Sequence, residues 1–272
     1  MLVNTSIYAT DDRSRQFVDM ALSSGRKYQS TRTNLIHYNP QCLDDPSYDS
    51  APLYENFLFA LTLLRDRSQP NLREARQLLD RLLHFQMTCT PDEDALGNFP
   101  LYLDQYPQCR NPSLPVKLLP ICYWILKEFQ LMIKRPLAER LKQSTDLLIN
   151  ASRRAWNRGV LGFSEAFTLG CLFKAFGSLF DSRELWEEGT DLLKLLREAS
   201  QEEGFNEWFS TQGIGETCIG YQPLEHLEDH EELESWGHFW EWLETTFHPN
   251  CHAYIGPELH PKQDGEEPLV SL

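Results

Sequence analysis

The sequence lacks the features that mark several classes of protein. No apolar run reaches the roughly 18 residues that a membrane-spanning helix needs, and the most apolar stretch, residues 116–133, is interrupted by charged side chains and a proline. The N-terminus has no basic region followed by an apolar core, so we predict no signal peptide. From these absences we expect a soluble protein without a membrane span.

Basic residues are scarce. Lys and Arg number 25 against 40 Asp and Glu, which gives a formal net charge of −15. Nucleic-acid binding needs clustered lysines and arginines to contact phosphates, so we expect no nucleic-acid partner. The acidic charge excludes partners better than it identifies one, because solubility alone accounts for it.

Cysteines are few and dispersed. The chain has seven, an odd number, and none forms a C-x-x-C pair. Cys122 and Cys171 lie in apolar stretches, where a free thiol behaves as a small hydrophobe. This usage is typical of a reducing compartment, so we predict a cytoplasmic protein. A disulfide among Cys42, Cys89 and Cys109 is the open alternative.

Motifs for nucleotides and metals are also missing. The sequence contains no P-loop, no G-x-G-x-x-G and no G-x-S-x-G. His226 and His230 have the i,i+4 spacing of helical metal ligands, but Leu227 stands where a metalloprotease needs Glu. We therefore predict no cofactor and no metal.

What the sequence does contain is an alternation of two kinds of helix. Some segments are apolar on nearly all faces, which indicates buried helices, and the segment after each is apolar on one side only. The buried segments are 53–64, 116–133, 164–180 and a less regular 217–227; the one-sided segments are 71–86, 136–159, 181–200 and 231–247. Inner helices enclosed by outer ones predict an all-α fold of helical hairpins in two layers. The candidates are an incomplete α/α-toroid and an open hairpin solenoid.

Three parts follow from this pattern. Residues 1–50 are predicted to be an irregular N-terminal segment that packs on the body, with a short helix over 11–22 that ends at Ser23-Ser24-Gly25. Residues 51–255 form the toroid-like domain. Residues 256–272 are predicted to be a flexible acidic tail.

Short joints connect each outer helix to the next inner helix. The most prominent occupies residues 204–216, and weaker echoes of its Gly-Phe-x-Glu pattern occur at 97–100 and 162–165. The joints bring the N-termini of the inner helices to one rim, where partial positive charge and free N–H groups gather. In our structural interpretation of this pattern, Gly ends the preceding helix, Phe plugs the core and Glu caps the N-terminus of the next helix.

The functional interpretation places a sugar site at the same rim. Sugar sites combine aromatic faces that stack on rings, carboxylates that bind hydroxyls or act as acid and base, and arginines for uronate groups. In a hydrolase, Glu207 would pair with Asp104 or Glu165. Further candidates for ligand binding, which lie in or near the joints, are Trp208, Arg110, Tyr54, Asn56 and Asn206.

A family resemblance supports the fold. The stretch Gly-Phe-Asn-Glu-Trp-Phe-Ser-Thr from residue 204 resembles a Gly-Phe-Asn-Glu-Tyr-Asn-Ser-Pro-Thr-Tyr segment of α/α-toroid proteins related to heparinase- and alginate-lyase-type enzymes. Trp208 and Phe209 replace the Tyr and the Asn, and no Pro follows Ser210. The resemblance implies a toroid with lyase- or glycosidase-like ancestry and with its chemistry weakened, relocated or lost. In a lyase, Tyr106 or His37 would take the proton and Arg110 would neutralise a uronate.

The alternative is a non-catalytic helical scaffold that binds a protein partner. An acidic surface and a stripe containing Trp236 and Trp240 fit this hypothesis if the stripe is exposed. The expected partner is therefore a saccharide under the first hypothesis and a protein under the second.

Overall fold

The computed structural model describes residues 12–38, 50–203, 211–227, 229–237, 247–248 and 253–254. These residues are mostly helical, which confirms the all-α prediction. The chain divides into two compact units, residues 1–155 and 156–272. This division differs from the predicted limits at 50 and 255, and each unit is described by itself.

The first unit contains five helices in its described part, joined by loops and two short 3-10 turns. The turns are Leu83–Phe85 and Leu103–Gln105. The helices are α1 (Asp12–Tyr28), α2 (Leu53–Asp66), α3 (Gln69–Leu82), α4 (Leu114–Phe129) and α5 (Arg135–Asn157), the last two residues of α5 belonging to the second unit.

Helices α2 and α4 form the core of the first unit. Nearly every residue of α4 is buried, and α2 exposes a single large apolar side chain, Leu58. Helix α2 packs against α1, α3 and α4. Helices α3 and α5 bury one side each and face solvent with the other. The predicted alternation of enclosed and one-sided helices is therefore present in this unit, because burial follows the apolar periodicity.

Helix α1 is longer than predicted. It continues through Ser23 and Ser24 to Tyr28, so the prediction that Gly25 ends this helix is wrong. A Cβ at Gly25 would lie 2.4 Å from the ring of Phe59 on α2. Glycine at this position permits close contact between two helices, rather than terminating one.

The second unit is built around α6 (Phe163–Phe180), which packs against α7 (Arg183–Glu203) and α8 (Thr211–Glu225). Small residues permit these contacts. A Cβ at Gly170 would meet Leu193 at 2.8 Å, and one at Gly220 would meet Thr168 at 2.5 Å. Helix α8 begins six residues before the predicted start, and Gly220 and Pro223 lie within the helix without ending it.

The remaining described elements of this unit are short. Helix α9 spans His230–Ser235, and two-residue strands β1 (Phe247–His248) and β2 (Ala253–Tyr254) pair antiparallel. Helix α9 covers only the start of the predicted segment 231–247, and residues 238–246 lie outside the description. Whether the hairpins close into a toroid or form a solenoid stays a prediction.

Candidate functional site

The N-terminus of α2 is covered by the loop that follows α1. The buried Asn56 amide accepts a hydrogen bond from the Ile36 backbone N–H at 2.8 Å and donates to the Ile36 carbonyl at 3.0 Å. It also donates to the Pro52 carbonyl at 2.7 Å. Asn56, a predicted ligand-binding residue, thus joins the loop to the helix. The loop that follows α1 therefore lies over the N-terminus of α2.

His37 lies inside this loop and is only 7% exposed. Its ring Nε2 is 2.7 Å from the Thr33 hydroxyl, and its backbone N–H donates to the Tyr28 carbonyl. The side chain is therefore held within the loop rather than projecting into solvent.

A second segment crosses the same rim. The Leu53 N–H donates to the Leu101 carbonyl and the Leu103 N–H to the Ala51 carbonyl, so residues 101–103 run beside 51–53. Tyr102 contacts the ring of Tyr38 edge-on, with centroids 5.9 Å apart. Tyr54, a candidate ligand-binding residue, is half-buried on α2 beside this pairing. Asp104 is exposed in the 3-10 turn that follows the segment.

Tyr38 also reaches α2 directly. Its hydroxyl donates to the Glu55 carboxylate at 2.9 Å. Burial, followed by this hydrogen bond, raises the pKa of the Tyr38 phenol well above its usual range. Tyr38 therefore acts as a hydrogen-bond donor and ring contact at this rim rather than as a proton acceptor.

The loop between α3 and α4 is tied to the body at several points. Gly97 has φ +79°, and a Cβ there would lie 2.5 Å from the Leu147 carbonyl oxygen. The buried Gln86 amide donates to the carbonyls of Gly97 and Ser144. Phe99 is fully buried against Phe57, with ring centroids 5.6 Å apart. Phe99 therefore has the predicted role of a core plug, whereas Gly97 lies in a turn beyond the 3-10 segment that ends at Phe85 and does not occupy the predicted helix C-terminus.

This loop lines an open cavity of about 700 Å³. Two of the lining side chains pair with each other, since the Arg110 guanidinium donates from Nε to the Asp92 carboxylate at 3.1 Å. Gln105 and Gln108 are exposed and add two carboxamides to the lining. Tyr106 lies between lining residues, is 45% exposed, and contacts Phe85 edge-on at 5.8 Å.

Cys109 also lines this cavity, and it is buried. Burial raises the pKa of its thiol to about 11, so the thiol is protonated at neutral pH and is a poor nucleophile. Cys89 and Cys109 are both free thiols, so they do not form the disulfide left open above. Cys42 lies outside the described residues.

Glu165 belongs to the second unit. Its carboxylate accepts a hydrogen bond from the Gly162 N–H at 3.0 Å, at the start of α6. This is the capping role that the structural interpretation of the Gly-Phe-x-Glu pattern predicted. Asn206, Glu207 and Trp208 lie outside the described residues, so the structure leaves their predicted roles as they were.

The second unit contains a buried charge cluster that the sequence did not reveal. Lys174, 3% exposed, donates to Asp229 at 2.7 Å and to Glu232 at 2.9 Å. Arg197 and the indole N–H of Trp236 also reach the Glu232 carboxylate, at 3.4 and 3.1 Å. The cluster has charges of both signs and joins α9 to α6 and α7, which indicates a structural role.

The position of Trp236 contradicts one premise of the scaffold hypothesis, namely that the stripe containing Trp236 is exposed. Its side chain is fully buried against Phe167, with ring centroids 4.8 Å apart, and is not part of an exposed stripe. Trp240 lies outside the described residues. Within the described part, no group of three or more His, Cys, Asp or Glu side chains is placed to hold a metal ion.

Of the predicted residues in the first unit, Arg110 lines the loop cavity and Tyr106 lies on the same loop. His37, Tyr54, Asn56 and Asp104 lie around the N-terminus of α2. Sequence reasoning missed Asp92, Gln105 and Gln108. Gln105 and Gln108 are close in sequence to Tyr106 and Arg110, which was the available signal, whereas Asp92 lies 18 residues before Arg110 and gave no such signal.

None of the helices in the described residues is both long and apolar enough to span a membrane. Comparisons with protein-family models, with curated proteins and with solved structures found no match to this chain. The lyase-type resemblance therefore stays a prediction.

Proposed function

We propose that the first unit binds a saccharide in the loop cavity between α3 and α4. The observation that carries the proposal is a cavity lined by one charge pair, Arg110 with Asp92, and by the carboxamides of Gln105 and Gln108, with the exposed ring of Tyr106 between lining residues in the chain. Carboxylate, guanidinium and amide groups supply the paired donors and acceptors that vicinal hydroxyls need, and an aromatic face complements the apolar face of a sugar ring.

The anchoring of this loop supports binding by a preformed site. The Asn98 amide donates to the Asn111 carbonyl at 2.7 Å, while the Asn111 side chain accepts from the N–H groups of Ser113 and Leu114 at the start of α4. A ligand would therefore meet a loop whose backbone is already ordered, which lowers the entropy cost of binding.

Binding fits this cavity better than hydrolysis does. Glycoside hydrolysis uses two carboxyl groups that flank the scissile bond. Among the described residues that line the cavity, Asp92 is the one carboxylate, and it is paired with Arg110. The proposed activity is therefore recognition of a sugar, with an ancestral reaction lost.

A glycan array tests the proposal directly. We expect the purified protein to bind at least one class among neutral and uronate oligosaccharides. Tyr106→Ala and Arg110→Gln should each weaken that binding about tenfold, the effect of losing one charge-assisted contact or stacking contact. Tyr28→Ala and Arg135→Gln are matched controls, since both residues are exposed and neither lines the cavity nor adjoins a lining residue in the chain. Absence of binding to any sugar would overturn the proposal.

A lyase reaction has its own test at the same cavity. Arg110 lines the cavity and Tyr106 lies between the lining residues Gln105 and Pro107 in the chain, so a proton acceptor and a uronate-neutralising cation lie on the same loop. Elimination would remove the proton next to the uronate carboxyl, expel the glycosidic oxygen and leave an unsaturated sugar that absorbs ultraviolet light. Release of that product by wild type but not by Tyr106→Phe would show that the activity persists; binding without product would confirm recognition alone.

A further inference from the structure

A second cavity lies in the first unit, between the C-terminal end of α1, the loop after it and one side of α3. Its volume is about 460 Å³. Three arginines and a single glutamate line it, so its walls have an excess of two positive charges. This excess stands out in a chain whose formal net charge is −15.

Two of the arginines belong to one side of α3. Arg73, Gln77 and Arg81 follow each other at four-residue spacing, which places them along about 12 Å of helix. Arg73 is exposed and makes no hydrogen bond or ion pair with the other described residues. Its guanidinium therefore offers all five N–H donors to a ligand.

The single glutamate does not cancel these charges. Glu74 is held by Arg26 through two hydrogen bonds, at 2.6 and 2.7 Å, and by the Gln29 amide at 2.6 Å. Burial alone would raise the pKa of Glu74, but the hydrogen bonds from Arg26 and Gln29 outweigh it and lower that pKa. Arg26 and Glu74 thus neutralise each other, and the net charge of the cavity comes from Arg73 and Arg81.

The wall opposite α3 is fixed in place. Arg81 donates from one Nη to the Thr33 carbonyl, which leaves its other N–H groups for a further partner. Asn34, with φ 56°, forms the turn of this loop, and its carbonyl accepts from Gln29 at 3.2 Å. The cavity is therefore preformed and does not require Arg81 to change its existing contact.

We propose that this cavity binds an oxyanion, a phosphate or carboxylate group of a small ligand. The planar fork of arginine matches both groups through paired N–H donors, and Gln77 supplies a further amide donor between the two arginines. A neutral sugar would leave the charge of Arg73 and Arg81 without a complement. The proposal is independent of the saccharide proposal, since none of these residues lines the loop cavity.

Calorimetric titration of the full chain with inorganic phosphate and, separately, with citrate tests this proposal at matched ionic strength. We expect saturable binding of at least one of the two anions. Preference for phosphate would indicate a phosphorylated ligand, and preference for citrate a polycarboxylate. Arg73→Gln should weaken binding about tenfold, as expected for one lost charge-assisted contact, and Arg73→Lys should weaken it less, since it keeps the charge but not the fork.

Arg135→Gln is the matched control, because it removes the same charge from an exposed site outside the cavity. Protection of Arg73 from phenylglyoxal by the bound anion, read by mass spectrometry, locates the site independently of any mutation. The proposal is overturned if neither anion binds, if Arg73→Gln binds as well as Arg135→Gln does, or if Arg73 is not protected.

Discussion

Replacing Lys174 with methionine should destabilise the second unit by about 3 kcal/mol, at the lower end of the ~3–5 kcal/mol expected when one partner of a buried ion pair is removed. Methionine keeps the aliphatic stem but leaves Glu232, whose side chain is 8% exposed, without its closest cation. The loss stays at the lower end because Arg197 and Trp236 still reach that carboxylate. Asp229, with 18% of its side chain exposed, keeps partial access to water.

The pH dependence of this effect has a definite sign. Burial alone would lower the pKa of Lys174, but hydrogen bonds to Asp229 and Glu232 outweigh it and raise that pKa in the folded state. The stabilisation is therefore fully present below the unfolded-state pKa of lysine, near 10.5, and is lost as pH rises through the higher folded value. Lys174→Met should remove this alkaline loss.

The assay is urea unfolding followed by far-ultraviolet circular dichroism, with hydrogen exchange to separate the two units. Exchange should accelerate in α6 and stay unchanged in α2, since the cluster lies wholly in the second unit. A double-mutant cycle of Lys174→Met with Glu232→Gln should give a coupling of about 1 kcal/mol or more.

The exposed pair Arg183–Glu187 provides the matched control. Its side chains are 90% and 57% exposed, so Arg183→Met should cost no more than about 0.5 kcal/mol. The reasoning is refuted if Lys174→Met costs as little as this control, or if the coupling with Glu232 is zero.

Three further predictions concern the first unit, and one of them uses a control variant, Gly159→Ala, in the second unit. Gly97→Ala should lower the free energy of unfolding in urea by more than about 2 kcal/mol, because it adds a clash with the Leu147 carbonyl to an unfavourable φ. The control Gly159→Ala has a positive φ but open space around it, so it should lower that free energy by about 1 kcal/mol. Asn56→Ala should cost about 3 kcal/mol and accelerate hydrogen exchange at the loop it holds; unchanged exchange there would contradict its structural role. The pKa of Glu74 is lowered on folding, so its contribution to stability is present above about pH 4.5 and is lost as pH falls through the folded value. Unfolding free energies measured across the acid range should fall less steeply for Glu74→Gln than for wild type.

The helices were predictable because burial and periodicity are local properties of the sequence. The observed α2 and α6 begin within one residue of the predicted segments, 53–64 and 164–180. The prediction went wrong at Gly25, which was taken as a helix terminator. At Gly25, as at Gly220, the absence of a side chain permits contact with a neighbouring helix, and the identity of that neighbour depends on tertiary structure rather than on local sequence.

The candidate sites were predictable only as regions. The joint at 97–100 and the residues Tyr106 and Arg110 pointed to the loop in which the structure has a cavity, but Asn56 gave no sign that it would be buried as a link to Ile36. A polar side chain either faces a ligand or forms hydrogen bonds with backbone groups. Which of the two occurs depends on distances in the folded structure, and the spacing of residues in the sequence does not reveal those distances.

The net charge of −15 illustrates why a global property does not determine a local site. At physiological ionic strength, exposed charges more than about 8 Å apart are largely screened from each other. The potential that a small anion meets in the cavity beside α3 is therefore dominated by Arg73 and Arg81, with Glu74 neutralised by Arg26. A long polyanion such as nucleic acid would extend beyond this distance and meet the acidic surface. The same charge distribution is thus compatible with binding a small oxyanion while still disfavouring nucleic acid, and higher salt should weaken the first interaction because it acts between partly exposed groups.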